Sequence, residues 1–300
     1  MEGPKQTFHK VNTNHAVINV RDSIPPVDNP ATPLILLLHG NSFCLKIWKH
    51  IFSSDLARTH RIVAIDYPGH GDSSDAYDAR RSYNQAAYAD AALQVLKQLA
   101  APKNIIVVGW SLGGHVAIEI VLRCSRVKGI VITGTPPVDV EEEVDRAFNL
   151  GPTGWRDAAP ARNILTEAEM DTFAHHCADP PYEDWMLDCV KRTDGRAREY
   201  MFQAFADGNR DAEDLEFQAF SSTLPGGKWG QKKCVETSEV PVAVINGDDP
   251  FLKMDWFDQI KWKNLWGGKC IKMDGCLHAP FWGKPQEYQR FLEAFVRDVS

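Results

Sequence analysis

Short apolar runs at 34–39, 61–67, 105–110, 127–133, 240–246 and 269–273 alternate along the chain with longer segments of helical periodicity. The runs are nearly continuous in Leu, Ile and Val, the pattern of strands buried on both faces. Strands alternating with helices mark βαβ units, so the pattern predicts an α/β fold with a mostly parallel, doubly wound sheet. One predicted helix covers 82–99, with Ser82 as N-cap and an apolar face through Ala86, Tyr88, Ala92, Val95 and Leu99. Others cover 112–123 and 286–299, the latter preceded by Pro285, where a missing N–H costs nothing.

The alternation stops at about Pro136. Residues 137–236 show no strand pattern. They carry polar, Trp-containing helical segments at 164–176, 182–192, 196–205 and 212–222, then a glycine-rich stretch, 224–230, that reads as an exit loop. The strand pattern resumes at Val240. This order predicts an α/β core made of 1–136 and 237–300, with a helical cap, 137–236, inserted between its halves.

Composition narrows the class. With 300 residues, 44% hydrophobic and 24% charged, the chain can bury a large core and is not disordered, collagen-like or a coiled coil. The longest aliphatic run, Leu34–Leu38, falls far short of the ~20 residues of a membrane span. The opening MEGPKQTFHK lacks an apolar core like that of a secretory signal. A net charge of −7 argues against nucleic acid as partner. Seven cysteines without framework spacing read as reduced thiols, so a cytoplasmic protein without membrane or nucleic-acid partners is expected. Composition sets no oligomeric state. His175, His176 and Cys177 are consecutive and would diverge on a helix, and no H-x-x-x-H or H-E-x-x-H string occurs. No metal and no cofactor is therefore expected.

Gly109-Trp110-Ser111-Leu112-Gly113 matches G-x-S-x-G. The string alone arises by chance in roughly one chain in ten at ordinary Gly and Ser frequencies. Its context is what counts: an apolar strand precedes it and a helix pattern follows, as a nucleophile elbow requires. A sharp strand-to-helix turn exposes the serine Oγ, and its crowded, strained backbone demands small neighbours. The serine needs a base, and the base an orienting carboxylate, in the chain order Ser, Asp or Glu, His. His278 follows the 269–273 strand and is the candidate base. Asp249 follows the 240–246 strand and is the candidate acid; Asp248 competes, but the turn at Pro250 favours Asp249. The backbone N–H groups of Asn41 and Leu112 are the candidate oxyanion donors. Residues 66–73 (DYPGHGDS) are expected to shape the turn beside the elbow, with His70 and His115 as local scaffolding. A serine nucleophile points to acyl transfer to water, on esters, lactones, thioesters or amides.

With these residues in place, the whole chain resembles the α/β-hydrolase superfamily. More narrowly it resembles the metal-independent N-acyl-homoserine lactonases, the quorum-quenching enzymes that open the homoserine lactone ring. The shared strings are HGNS (39–42), PGHGDS (68–73), RSYNQAAYAD (81–90), GWSLGGHVAIE (109–119), ITGTPPV (132–138), TDGRAR (193–198), NGDDPF (246–251), NLWGGK (264–269) and HAPF (278–281). The resemblance implies Ser111 as nucleophile, His278 as base, Asp249 as acid, and Asn41 as a residue that helps hold the lactone. It also has departures. The family carries Glu before the proline and one more loop residue, where this chain has Asp249; Leu277 replaces a glycine before the histidine. A cap tyrosine that donates a hydrogen bond to the ligand aligns with Phe173, which bears on the substrate more than on the reaction. Phe148, Trp155, Phe173, Trp185 and Met186 are the candidate apolar lining of the cap, with Phe173 expected to reach the substrate. The leading expectation is thus a lactonase acting on a small-molecule lactone. The alternatives are a carboxylesterase for another small ester or lactone and a ligand receptor on the same fold.

Overall fold

The computed structural model describes residues 3–207 and 230–300, except 28, 30, 102, 103, 153, 179 and 180. Among the described residues eight strands form one sheet: β1 Lys5–Asn12, β2 Val17–Ile24, β3 Leu34–Leu38, β4 Ile62–Ile65, β5 Ile105–Trp110, β6 Val127–Thr133, β7 Val242–Asn246 and β8 Ile271–Lys272. Their spatial order is β1-β2-β4-β3-β5-β6-β7-β8. β1 and β2 are antiparallel additions at one edge, and the pairs from β4 to β8 are parallel.

The parallel strands are mostly apolar because both faces are covered. In β3, Leu34, Leu36 and Leu38 enter one core cluster and Ile35 and Leu37 the other, as the two-residue period of a strand dictates. Helices α1, Gln85–Gln98, and α2, Leu112–Arg123, cover the first face through Tyr88, Ala92, Val95, Val116 and Ile120. The C-terminal helix, Pro285–Val299, covers the second through Tyr288, Leu292 and Phe295.

Between β6 and β7 the described residues include helices α3, Glu141–Ala147, α4, Glu167–Ala178, α5, Trp185–Arg192, α6, Gly195–Asp207, and α7, Gln231–Thr237. The predicted helix at 212–222 and the predicted loop residues 224–229 lie outside the described residues. Some boundaries differ from expectation. Ser82 does not cap the long helix; it ends a short one, Ala79–Ser82. The chain breaks at Tyr83, whose hydroxyl donates to Asp194 (2.6 Å) and accepts from the Ala76 N–H (3.0 Å), and Asn84 caps α1 by accepting from the Ala87 N–H (2.8 Å). β8 keeps only two of the five residues expected of it. Among the described residues no helix is long and apolar enough to cross a membrane.

Candidate active site

Ser111 sits between β5 and α2 with φ 54° and ψ −118°, a conformation that costs a non-glycine residue of order 1–3 kcal/mol. Packing enforces the turn. A Cβ on Gly109 would stand 2.1 Å from the Gly113 carbonyl oxygen, and one on Gly113 would stand 2.1 Å from that of Leu38. The two glycines of the elbow thus let α2 start directly against the sheet. Ser111 is half-buried and lines a pocket of about 640 Å³ of empty space, mouth included, together with Asn41, Leu112 and His278.

His278 Nδ1 meets Asp249 Oδ2 at 2.5 Å, and both residues are buried. The other carboxylate oxygen of Asp249 accepts the Phe251 N–H at 2.9 Å. The Asp249 carboxylate is therefore fixed on both sides, one oxygen on its own turn and the other on the imidazole. Asp248 faces away. Its carboxylate accepts the Gly275 N–H (2.6 Å) and pairs with Lys272 (2.8 Å), and the Lys272 contact holds it below the usual carboxylate range.

The imidazole is positioned from several sides. Trp110, on β5, donates its Nε1–H to the His278 carbonyl at 2.9 Å. The Phe251 ring meets the imidazole edge-on at 5.2 Å between centroids. Gly134 packs beneath it with φ +67°; a Cβ there would stand 2.6 Å from His278 Cε1, so no side chain fits. The Gly134 N–H is itself held by Asn246 Oδ1 at 2.8 Å, at the end of β7. Trp110, Gly134 and Asn246 had no role in the sequence reading, because each acts through a neighbour: Trp110 fills the variable position of the elbow string, and the other two sit at strand ends without a chemical signature of their own.

Leu112 is the first residue of α2, so its N–H has no intrahelical acceptor, and the Asn41 N–H has no acceptor among the described residues. The Asn41 side chain, in contrast, is engaged. Its amide donates to the Pro160 carbonyl at 2.9 Å and its oxygen accepts from the Ser42 hydroxyl at 3.2 Å. Behind it lies Arg198, 2% exposed, from the TDGRAR string. Its guanidinium donates to the carbonyls of Arg162 (3.0 Å) and Asn163 (3.1 Å) and to the Ser42 hydroxyl (3.3 Å). Burial lowers its pKa to about 10. Arg198 thus joins the helical segment between β6 and β7 to the loop that carries Asn41.

The remaining candidates are scaffolding. Asp66 accepts the N–H groups of Leu45 (2.7 Å) and Asp72 (2.9 Å) and the Asn19 amide (2.9 Å), which shapes the turn beside the elbow. Burial raises its pKa to about 6. His70 and His115 are buried, and burial depresses each to about 4, so both are neutral at pH 7. His70 bonds the Pro68 carbonyl (3.0 Å), and His115 Nδ1 bonds Gln231 (2.7 Å).

The apolar lining of the pocket comes from Phe148, Leu150, Phe173, Met201, Phe202 and Phe251. Of the residues expected to line it, Phe148 and Phe173 do. Trp185 instead packs edge-on against Phe43 and Trp282, and Met186 belongs to the core cluster. Among the described residues no group of three or more His, Cys, Asp or Glu is placed to hold a metal ion.

A family model described as the alpha/beta hydrolase family matches residues 35–290. A pimeloyl-acyl-carrier-protein methyl ester esterase from Yersinia pseudotuberculosis is 35% identical over 276 residues, 88% of this chain and 93% of that one. One from Nitrosospira multiformis is 37% identical over 112 residues; the match spans 37% of this chain and only 41% of that one. A crystal structure of the N-acyl homoserine lactonase AidH, complexed with N-butanoyl homoserine, is similar with a TM-score of 0.85 and 37% identity, over 98% of this chain and 97% of that one.

Proposed function

This chain belongs to the alpha/beta hydrolase family, and from that premise we propose that it opens the lactone ring of N-acyl homoserine lactones through an acyl-enzyme on Ser111. It is a serine hydrolase of carboxylic ester bonds. In this reading, the Ser111 hydroxyl attacks the ring carbonyl and gives its proton to His278, while Asp249 holds the imidazole and stabilises its positive charge. The oxyanion is met by the N–H groups of Asn41 and Leu112. Collapse expels the ring oxygen, which takes the proton from His278. The leaving alcohol stays tethered to the acyl group, so the pocket must hold both halves until water, deprotonated by His278, releases the open acid. The described residues between β6 and β7, through Phe148, Leu150, Phe173, Met201 and Phe202, act as the cap of this pocket.

The observation that carries the lactone reading is the likeness to the lactonase over nearly the full chain, helical segment included. A second reading, a carboxylesterase for an open-chain methyl ester, is supported by the names of the sequence relatives. Comparing turnover of acyl-homoserine lactones with that of open-chain esters separates the two.

Phe173 is 5% exposed and lines the pocket, yet has no hydroxyl to offer a ligand. Phe173→Tyr is expected to raise kcat/KM for acyl-homoserine lactones several-fold, within the roughly 5- to 150-fold that one buried polar contact is worth. A chain-length series on both proteins measures it. An unchanged or lower kcat/KM would show that the hydroxyl finds no partner on the substrate.

A further inference from the structure

Gln85 is the first residue of α1 and is only 7% exposed. It lines the same pocket as Ser111, in company with Leu112, His115, Phe148, Met201 and Phe202. Its carboxamide has no hydrogen-bond partner among the described residues. Its polar atoms are not sealed from solvent but open onto the pocket, so a ligand that fills the pocket must either pair with them or leave them buried and unpaired. A carboxamide offers two donors and one acceptor oxygen, and here all of them remain open. Of the other polar side chains of the lining, Asn41 is engaged with Pro160 and Ser42, His115 with Gln231 and His278 with Asp249, which leaves the Gln85 carboxamide and the Ser111 hydroxyl open to a ligand.

We propose that Gln85 is a specificity-determining residue that hydrogen-bonds a polar group of the substrate. The proposal rests on the ester-hydrolase reading above and names the substrate class more closely. Phe148, Met201 and Phe202 make the surrounding wall apolar, so a bound substrate displaces the water that would otherwise satisfy the amide. An alkyl group there leaves Gln85 buried and unpaired. A group that both donates and accepts pairs with it. A site of this kind discriminates strongly against analogues that lack the polar group. Two substrate features have this chemistry, the secondary amide of an N-acyl lactone and a hydroxyl on the acyl chain.

The test measures kcat/KM on wild type and Gln85→Leu for two matched pairs. One pair is N-hexanoyl homoserine lactone against α-heptyl-γ-butyrolactone, which carries a chain of the same length on the same ring carbon but lacks the amide. The other is methyl 3-hydroxyhexanoate against methyl hexanoate. The ratio of polar to apolar substrate should fall roughly 5- to 150-fold in at least one pair, mainly through KM, because a binding contact remote from the reacting atoms is lost. The pair that responds identifies the group read by Gln85. If Gln85→Leu does not fold, Gln85→Met keeps the length of the side chain and takes its place. A ratio within twofold of wild type in both pairs, on a folded variant, overturns the proposal. If wild type opens neither lactone but cleaves the methyl esters, the lactonase reading fails, and the ester pair alone decides on Gln85.

Discussion

Replacing Ser111 by alanine is expected to lower ester and lactone hydrolysis by on the order of 10⁴-fold or more while leaving the fold intact. The Oγ is the only atom removed. The strained backbone at φ 54° is imposed by neighbours, chiefly the close approach of α2 to the sheet at Gly109 and Gly113. Substrate binding should persist, because the pocket walls and the backbone donors of Asn41 and Leu112 are untouched. Circular dichroism and steady-state kinetics on the same preparation make the check. A folded Ser111→Ala protein with wild-type turnover would mean that another group attacks the carbonyl.

Asp249→Asn is expected to lower kcat by a comparable factor, of order 10⁴-fold, since in a Ser-His-Asp triad the acid sets the tautomer and stabilises the imidazolium. Geometry makes the effect specific. Asp249 Oδ2 lies 2.5 Å from His278 Nδ1, and its other oxygen is tied to the Phe251 N–H. An asparagine in the same place either offers its carbonyl and loses the charge or turns an NH₂ toward the ring and selects the wrong tautomer. Asp248→Asn should change kcat by less than tenfold, because Asp248 serves Lys272 and the Gly275 N–H. A larger loss from Asp248→Asn than from Asp249→Asn would move the acid to Asp248.

How much of this was readable along the chain followed from burial. β5 and β6 coincide with the apolar runs at 105–110 and 127–133, since strands covered on both faces show mostly hydrophobic side chains, with the exposed Lys128 near the start of β6 as the exception. β1 and β2 went unread. KQTFHKVN is an edge strand whose side chains are mostly exposed, and VINVRDSI mixes Arg21 and Asp22 into its apolar positions. Asp22 is buried against Arg61 through a two-pronged ion pair, a partner 39 positions away that no local pattern reveals. The start of α1 was misplaced for the same reason, because Tyr83 is drawn to the distant Asp194.

At the site, the serine, the histidine and both carboxylates could be listed from strand ends and the elbow string. Between the carboxylates the turn at Pro250 favours Asp249, and the structure supplies the reason: successive residues of a turn point in different directions, so Asp249 meets the imidazole and Asp248 meets Lys272. Arg198 and Gln85 were seen only inside the strings TDGRAR and RSYNQAAYAD, and their roles depend on which atoms they meet or leave unmet. The reverse holds for Asn41. The resemblance implies that it helps hold the lactone, and because its side-chain amide already bonds Pro160 and Ser42, the backbone N–H is its clearest contribution.

The most direct test of the lactonase account is proton release from a panel of N-acyl homoserine lactones of different chain length, run beside open-chain aryl and methyl esters at equal concentration. The account predicts ring opening with kcat/KM above that of the open-chain esters, and loss of that proton release in Ser111→Ala. Brisk cleavage of the esters with no ring opening of any acyl-homoserine lactone would contradict it and leave a carboxylesterase.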